Sequence, residues 1–503
     1  MLLWTMNPVK QLGQQVASLT KWAYDAVVPS IKRQQPTGVL RSEDAELTRN
    51  ERAKLVSAGR DLHRNFALLG WAVRKHLDYV STFKFQAKGA DEKKNNQIEA
   101  FVTKWSNRKN FDAAQRHNLQ RFLRLLEQRR TIDGDVFVYK LANGRVQAIE
   151  GDRIRSPLGG VVEMQNAIGQ KLADGTKVVH GVVVGEFGEA TGYMLSRRTG
   201  NFISGQGATQ FTYERTLPAE HVYHHAYWDR FDQTRGISPL AAVYNTLRDV
   251  YESFDYALAK MKLSQLLGLV FYRDAADSVG DLEEDPNSND AEGAAEPKYK
   301  VDFGKNIFKL ELDGGDRAEF LESKNPSNEF QQFSQTMIAL ILKAFDIPYS
   351  FYAENFSNYS GSRQALLQYE MSAEQRRCDN RDLLNELTAW RLKMAIDDGD
   401  PDLAGVTVED LRWEWVAAAL PWIDPVKETA ANAMAVDRGF TSTPRVCKEQ
   451  GGDAWEIAKE EADFRKKVHD YYVNVLKMDP PVWGPVSYTE VLTAKEPSNA
   501  TAA

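Results

Sequence analysis

Two one-sided helical segments separated by a non-helical insertion constrain the fold of this chain more than any other feature. Along 240–261 apolar residues recur at steps of three and four, and polar or charged residues occupy the other side. The apolar residues are Leu240, Val243, Tyr244, Leu247, Val250, Tyr251, Phe254, Ala257, Leu258 and Met261. The segment 326–346 repeats the pattern, with Asn325 as its expected cap. Both helices must bury an apolar face within the chain or against a neighbouring subunit.

The insertion between the two helices is acidic and rich in turns. Residues 274–296 contain nine Asp or Glu and neither Lys nor Arg, which predicts an exposed segment. Farther along, 307–312 and 317–321 flank Asp313-Gly314-Gly315-Asp316, a pattern typical of a β-hairpin.

The rest of the chain predicts an α+β protein that is mostly helical. One helical pattern runs from Asn50 to Leu77, and short strands separated by glycine and asparagine turns continue to about residue 227. A loop rich in aromatic residues precedes a long helix predicted from about Ser362 to Asp398. Mostly helical structure is expected beyond 402, and 494–503 indicate a disordered tail.

Length, cysteine content and charge limit the classes of function. A chain of 503 residues is too long for one compact core and predicts several structural units. Cys378 and Cys447 cannot form a disulfide framework, which favours synthesis in the cytoplasm. The net charge of −7 argues against a protein that grips nucleic acid by neutralising phosphates. Any contact with DNA is therefore expected to be local or weak.

A histidine group and an acidic loop are the candidate metal sites. The segment around His221, His224 and His225 has the pattern of a strand, which points His224 away from the other two and favours structural histidines. Asp285, Asn287, Asn289 and Glu296 match positions of a calcium-loop template. Asp290 stands where that template needs glycine, so a solvated loop is favoured and calcium binding stays open.

Motifs typical of catalysis are not found in the sequence. It contains no GxxxxGK[ST] phosphate loop, no GxSxG elbow and no HExxH motif. The segment Gly205-Gln206-Gly207-Ala208 lacks the third glycine of a dinucleotide fingerprint and predicts a turn. We therefore expect a protein that is not an enzyme and has no cofactor.

Four segments in a defined order resemble the portal proteins of the lambda-type family of tailed phages. They are 60–65 with the helix after it, 146–157, 217–249 and 345–363. The third is the most specific, because His221 follows Pro218-Ala219-Glu220 and Arg235-Gly236-Ile237-Ser238-Pro239 precedes a long helix. In the fourth, Gly361 departs slightly from the family pattern. The segment 423–428 with Gly439 and Thr441 also matches.

The resemblance implies a ring, usually of about twelve subunits, that forms the channel for packaging and ejecting double-stranded DNA at one capsid vertex. The implied partners are the terminase large subunit, the major capsid and scaffolding proteins, and head-tail connector or adaptor proteins. No membrane is involved. The ring is expected in the virion, after assembly in the host cytoplasm.

The resemblance also implies a division of the chain into regions. They are an N-terminal arm at 1–59, an α+β wing at 60–236, stem helix 1 at 237–267, a clip at 268–325, stem helix 2 at 326–348, a tunnel loop at 349–362, a long wing or crown helix at 363–401, a helical wing or crown at 402–493 and a disordered tail at 494–503.

Two groups of site residues follow from this division. The tunnel-loop residues expected at the DNA are Phe356, Ser357, Asn358, Tyr359, Ser360 and Arg363, with Gly361 as a hinge. The clip residues expected to dock the motor or connector are Asp281, Glu283, Glu284, Asp313, Asp316 and Arg317.

Two other functions stay open at this point. A metal-dependent enzyme of DNA processing needs an acidic metal site, for which 281–290 is a remote candidate. A head-completion adaptor is typically much shorter and lacks the long helix pair.

Overall fold

The computed structural model describes residues 40–156, 170–171, 177–199, 210–266, 269–273, 316–320, 328–354, 359–418 and 424–480. Its α-helices are α1 Glu43–Glu46, α2 Arg49–Asn65, α3 Ala67–Val80, α4 Glu92–Trp105, α5 Arg108–Phe111, α6 Leu119–Asp133, α7 Tyr244–Leu266, α8 Asn328–Leu342, α9 Tyr349–Ala353, α10 Tyr359–Asp397, α11 Pro425–Asp437, α12 Thr443–Glu449 and α13 Ala454–Asp470.

Its strands are β1 Phe83–Ala87, β2 Asp135–Lys140, β3 Val146–Glu150, β4 Gln170–Lys171, β5 Lys177–Val179, β6 Val182–Val184, β7 Ala190–Thr199, β8 Gln210–Pro218, β9 Val222–Ala226, β10 Leu269–Arg273, β11 Asp316–Phe320 and β12 Trp413–Ala417. These elements confirm the predicted mostly helical α+β fold class. Several boundaries differ from the sequence-based expectations, for physical reasons given below.

The helical pattern predicted from Asn50 to Leu77 is two helices. Thr48 and Glu51 form a capping box that begins α2, and the extended backbone of Phe66 separates α2 from α3. Phe66 is buried and its ring packs edge-on against Tyr251 at 5.3 Å. The periodicity runs through the break because both helices bury their apolar residues in the same core.

The N-terminal arm predicted at 1–59 is shorter than expected, because α1 and α2 belong to the folded body. Asp44 is buried and accepts a hydrogen bond from the Thr234 amide at 3.1 Å. Residues 1–39 lie outside the described part of the chain.

Two antiparallel sheets follow α6. The first has the order β3-β2-β9, with Val136 opposite Glu150 and His225, and the second has the order β4-β5-β6-β7-β8. Phe137, in the central strand of the first sheet, is completely buried in the core that the two sheets share. The series of short strands predicted up to about residue 227 is thereby confirmed among the described residues.

The two one-sided helices are confirmed as α7 and α8. A 3-10 turn, Pro239–Val243, leads into α7, and Ser238 caps it by accepting from the Leu240 amide at 3.1 Å. Strand β10 pairs antiparallel with β11, so 316–320 is extended as predicted. The expected hairpin partner 307–312, the acidic segment 274–296 with its calcium-template residues, and Asn325 lie outside the described residues.

The long helix begins earlier than the sequence predicts. Tyr359, Ser360 and Gly361, assigned to the tunnel loop and its hinge, are helical in α10, and Tyr349–Ala353 is a short helix rather than loop. A first helical turn accepts glycine and serine readily, because its amides have no partner within the helix. Only 354–358 separates α9 from α10, and 355–358 lie outside the described residues.

The region 402–493, expected to be helical, contains a strand. In β12 Trp413, Glu414, Trp415 and Val416 pair antiparallel with β1, and Ala417 lies opposite Phe83. Trp415 is buried, and its indole donates to Thr388 on α10 at 3.2 Å. The aromatic and β-branched residues favour a strand once a partner edge is available, and β1 supplies that edge.

Candidate functional site

Charged side chains are buried where α6, β2 and β9 meet α10 and the segment that leads into α7. We call the first group the Asp135 cluster, which contains Asp135, Arg235, Arg52 and His224. The Arg235 guanidinium donates to Asp135 at 2.6 and 3.1 Å, and Arg52 lies 3.0 Å from the same carboxylate. His224 Nε2 lies 3.2 Å from Asp135 Oδ2. The Asp135 carboxylate, inaccessible to solvent, is thus surrounded by donors.

Arg235 also joins the segment before α7 to the sheets through backbone carbonyls. It donates to the carbonyls of Gly151 at 2.7 Å, Ile154 at 2.8 Å and His180 at 2.7 Å. Most N–H donors of the rigid Arg235 guanidinium are therefore used. A lysine could not make the same set of hydrogen bonds. This arginine determines where α7 leaves the body of the subunit.

Two glycines allow the backbone at the end of α6 to approach the backbone of the segment before α7. Gly134, at the end of α6, has φ +96°, and a Cβ there would lie 2.6 Å from the Gly236 carbonyl oxygen. A Cβ on Gly236 would lie 2.3 Å from the Gly134 carbonyl oxygen. Neither position has room for a side chain, which explains the glycine that follows Arg235 in the third family-like segment.

The second group is the Glu127 cluster, made of Glu127, Arg130, His76, His225 and Tyr227. The Glu127 carboxylate accepts from Arg130 at 3.2 Å and from the Tyr227 hydroxyl at 3.1 Å. The Nε2 atoms of His76 and His225 lie 3.3 and 3.2 Å from it. Arg130 stacks over the Tyr227 ring at 4.0 Å. One buried carboxylate therefore connects α3, α6 and β9.

Asn380 connects this cluster to the long helix α10. Its amide nitrogen donates to the carbonyl of Val80 at 3.0 Å, so its oxygen faces His225 Nε2 at 3.1 Å. His225 Nε2 lies between that oxygen and the Glu127 carboxylate, both of which only accept. The proton of neutral His225 is therefore on Nε2.

Burial and neighbouring charges have opposite effects on the pKa of each group in the Glu127 cluster. Burial by itself raises the pKa of Glu127, but Arg130 and the hydrogen bonds from His225 and His76 hold the pKa well below its usual range. Burial lowers the pKa of His76 and His225 despite the nearby carboxylate. The cluster is therefore an ion pair surrounded by neutral histidines.

Acid is expected to destabilise the subunit through these groups. Burial lowers the pKa of His76, His224 and His225 below 6.5, so the unfolded chain binds protons before the folded chain does. Their contribution to stability is complete above pH 6.5 and is lost as the pH falls below that value. The pKa of Glu127 is also depressed, so more stability is lost below pH 4.5.

We expect the unfolding temperature to fall steadily between about pH 7 and pH 5, measured by scanning calorimetry. The variant His225→Gln is expected to reduce that dependence on pH. His469→Gln, at an exposed position, serves as the control and should leave it unchanged. An unfolding temperature that is constant over this range would contradict the assignment.

The four family-like segments meet at this junction. Arg60, from the first segment, forms a bidentate pair with Asp133 at 2.9 and 2.7 Å and contacts Glu150, in the second, at 3.3 Å. The third segment supplies Arg235, His224 and His225. Phe345, from the fourth, is buried and lies 5.5 Å from the His76 ring.

The structural interpretation of the histidines is supported by their positions. His224 stacks on Phe137 at 4.2 Å, and the adjacent His225 points to the opposite side of β9, toward Glu127. Exposed His221 lies in the turn before β9, beside Glu220 at 3.3 Å. Within the described ranges, no three His, Cys, Asp or Glu side chains are grouped so that they could hold a metal ion. No helix among the described residues is long and apolar enough to cross a bilayer.

Five of the twelve predicted site residues lie within the described part of the chain. Phe356, Ser357, Asn358, Asp281, Glu283, Glu284 and Asp313 lie outside the described residues. Tyr359 and Ser360 lie in the first turn of α10, and Asp316 and Arg317 lie in β11. Arg363, expected at DNA, forms an ion pair with Glu428 at 2.9 Å. The tunnel-loop group and the clip group therefore both stay predictions.

The sequence reasoning missed the two charged clusters. Glu127 and Arg130 follow Leu123 at steps of four and three, on the side of α6 that carries its buried leucines. A charged pair on the apolar side of a helix signals a buried ion pair. Asp135 gives no comparable signal, because an acidic residue beside a glycine at a strand start usually indicates a turn. The carboxylates of both clusters are buried and paired with arginines, so the clusters support architecture rather than catalysis.

Comparisons with known proteins identify the family of the chain. A family model described as "Phage portal protein, lambda family" matches residues 33–377, more than half of the chain. A search of the curated proteins returned no match.

Among solved structures, the chain is similar to a component of the neck of an empty gene transfer agent particle, with 15% identity, a TM-score of 0.42, and coverage of 78% of this chain and 93% of that chain. It is also similar to a component of the neck of the native particle computed with C12 symmetry, with 14% identity, a TM-score of 0.40, and coverage of 79% and 92%. The family assignment rests on the family model. The chain belongs to the lambda family of phage portal proteins, which are structural proteins of the virion and not enzymes.

Proposed function

We propose that this portal protein forms a ring of about twelve subunits whose central channel passes double-stranded DNA during packaging and ejection. The match to the lambda portal family is the observation that carries the proposal. The ring is also the docking platform for the terminase motor and for head-tail connector proteins. Major capsid and scaffolding proteins are its further partners at the capsid vertex.

The helices α7 and α8 support assembly, because their apolar surface extends beyond the core of the subunit. Leu247 and Val250 are buried, whereas Leu258, on the same side of α7, is 49% exposed farther along the helix. On α8, Phe333 and Leu340 are also exposed. Large apolar side chains in a row along two helices are typical of a surface that another subunit covers. In this proposal α7 and α8 are the two stem helices.

The charge of the chain suits a channel through which DNA slides. Each subunit carries −7, so a ring of twelve carries twelve times that charge. Duplex DNA is also strongly negative, with about one charge per 1.7 Å. Repulsion prevents the duplex from sticking, and a separate motor supplies the work.

We expect native mass spectrometry of the purified protein to show a homo-oligomer of about twelve copies. The exposed apolar residues of α7 and α8 provide the driving force. Leu258→Glu is expected to shift the population toward smaller species, because it places a charge on that surface. Val408→Glu, at a similarly exposed position outside the helix pair, is the control. A stable monomer at every concentration would count against the ring.

The residues proposed to contact DNA are Phe356, Ser357, Asn358, Tyr359, Ser360 and Arg363. Their supporting observation is positional: the first three come between α9 and α10 in the chain, and the other three lie at the start of α10. Arg363 enters this proposal with its charge already paired to Glu428, so the polar groups of Asn358 and Ser360 are the stronger candidates. The proposed clip residues for motor and connector docking are Asp281, Glu283, Glu284, Asp313, Asp316 and Arg317.

The double variant Asn358→Ala with Ser360→Ala is expected to assemble normally and to leave ATP hydrolysis by the motor largely intact. DNA packaging or retention should decrease, because two hydrogen-bonding groups are removed from the channel. An in vitro packaging assay with nuclease protection measures this. Normal packaging and normal retention together would show that these two side chains are not important contacts.

A further inference from the structure

The last described part of the chain, residues 424–480, joins the rest of the subunit with little apolar contact. We call these residues the C-terminal unit; it contains α11, α12 and α13. None of its described residues belongs to the apolar cores of the subunit. Helix α13 has no buried residue along its length, although Ile457 and Phe464 lie seven residues apart on one side of it.

Ion pairs join this unit to the body instead. Five of them connect described residues of the two parts. They are Arg363–Glu428 at 2.9 Å, Lys84–Glu456 at 2.7 Å, Lys459–Glu92 at 2.5 Å, Lys88–Asp453 and Lys448–Glu414. Most of these side chains are half exposed, so each pair is weak by itself and is screened by salt. The contact is therefore electrostatic, and its free energy is the sum of several weak ion pairs.

The contact surface between the C-terminal unit and the body, which we call the seam, is also loosely packed. A polar cavity of about 690 Å³ lies between α10 and β12 on one side and the start of α12 on the other. Arg377 and Arg381 line it from α10, Trp415 lines it from β12, and Phe440 and Arg445 line it from the C-terminal unit. This cavity is open to solvent, whereas surfaces that belong to one close-packed core leave no gap of this size between them. The seam therefore resembles a contact between two bodies.

We propose that the C-terminal unit is held on the subunit by an electrostatic latch and detaches from it as a body when salt screens the ion pairs. Parts of a protein with few buried apolar contacts open at lower free energy than its core. Once detached, α13 loses the ion pairs of Glu456 and Lys459 with the body, and a helix of 17 residues is only marginally stable in water when little tertiary contact supports it. Detachment therefore increases the rate at which the amide protons of α13 exchange with solvent.

Hydrogen exchange with mass spectrometry on the full-length protein tests the latch. Raising NaCl from about 0.05 M to about 1 M is expected to increase exchange in α13 about fivefold or more, while α6 and β2 change little. Lys84→Glu and Glu414→Lys, both outside the unit, should each increase α13 exchange about two- to fivefold at low salt. The sequence of the unit is unchanged in both variants, so a change in its intrinsic helicity cannot explain the effect.

Lys104→Glu is the matched control, because Lys104 forms an equally exposed pair with Asp402 within the body. It should leave α13 exchange unchanged. Exchange in α13 that is insensitive to salt and to both variants would overturn the latch. So would an equal effect of Lys104→Glu, or an increase spread equally over α6 and β2. The readout concerns the subunit itself, so its failure is distinct from failure of the ring.

Discussion

The variant Arg235→Met is expected to lower the free energy of unfolding by about 3–5 kcal/mol, because it leaves the buried Asp135 carboxylate without its main partner. The pKa of Asp135 is held well below its usual range, since Arg235 and Arg52 outweigh the effect of burial. Methionine has a similar length but no donor, so three backbone carbonyls also lose a hydrogen bond.

Urea unfolding followed by tryptophan fluorescence measures this loss. The matched control is Arg198→Met, since Arg198 pairs with Glu150 and Asp152 on the surface, where ion pairs contribute about 1 kcal/mol or less. Equal unfolding midpoints for the two variants would mean that the Asp135 cluster does not hold the base of α7. Arg235→Lys should recover little of the loss, because an ammonium group cannot reach three carbonyls and a carboxylate together.

The variant Glu127→Gln is expected to lower the free energy of unfolding by about 2–3 kcal/mol, because it removes one of the two carboxylates paired with the buried Arg130 and leaves only Asp379. The replacement amide also turns a donor toward a cluster in which Arg130, Tyr227 and His225 already donate. One of these groups then loses its acceptor. The same urea unfolding experiment measures the effect.

Asp78→Asn is the matched control for this change, since Asp78 pairs with Arg124 at 2.7 Å and both side chains are exposed. The control should cost less than about 1 kcal/mol. A second readout separates local from global damage. Hydrogen exchange should increase first in β9 and in the part of α10 around Asn380, which the Glu127 cluster joins. A loss confined to other regions would contradict this role for Glu127.

The Asp135 cluster joins the sheets to the segment that leads into α7, and the Glu127 cluster joins β9 to α10. If α7 is a stem helix and the start of α10 adjoins the tunnel loop, the clusters position the channel-lining elements relative to the body. Arg235→Met and Glu127→Gln are then expected to weaken DNA packaging even where the ring still assembles. This consequence depends on the proposed function, whereas the loss of stability does not.

The sequence by itself determined the elements whose signal is local. The steps of three and four along 240–261 and 326–346 identified α7 and α8, because one turn of helix places those residues on one side. The alternation around His224 and His225 placed them on opposite sides of a strand. The order of the family-like segments identified the portal family, which the family model confirms.

Only the tertiary structure decided the features that depend on distant partners. Trp413–Ala417 becomes a strand because Phe83–Ala87 offers it an edge, although more than 300 residues separate them in the chain. The break at Phe66 follows from a packing site for its ring against Tyr251. Asp135 is an ordinary turn residue in the sequence and becomes an ion-pair centre because Arg52 and Arg235 meet it in space. Periodicity records which side of an element is buried, whereas the partner on that side is determined by the fold.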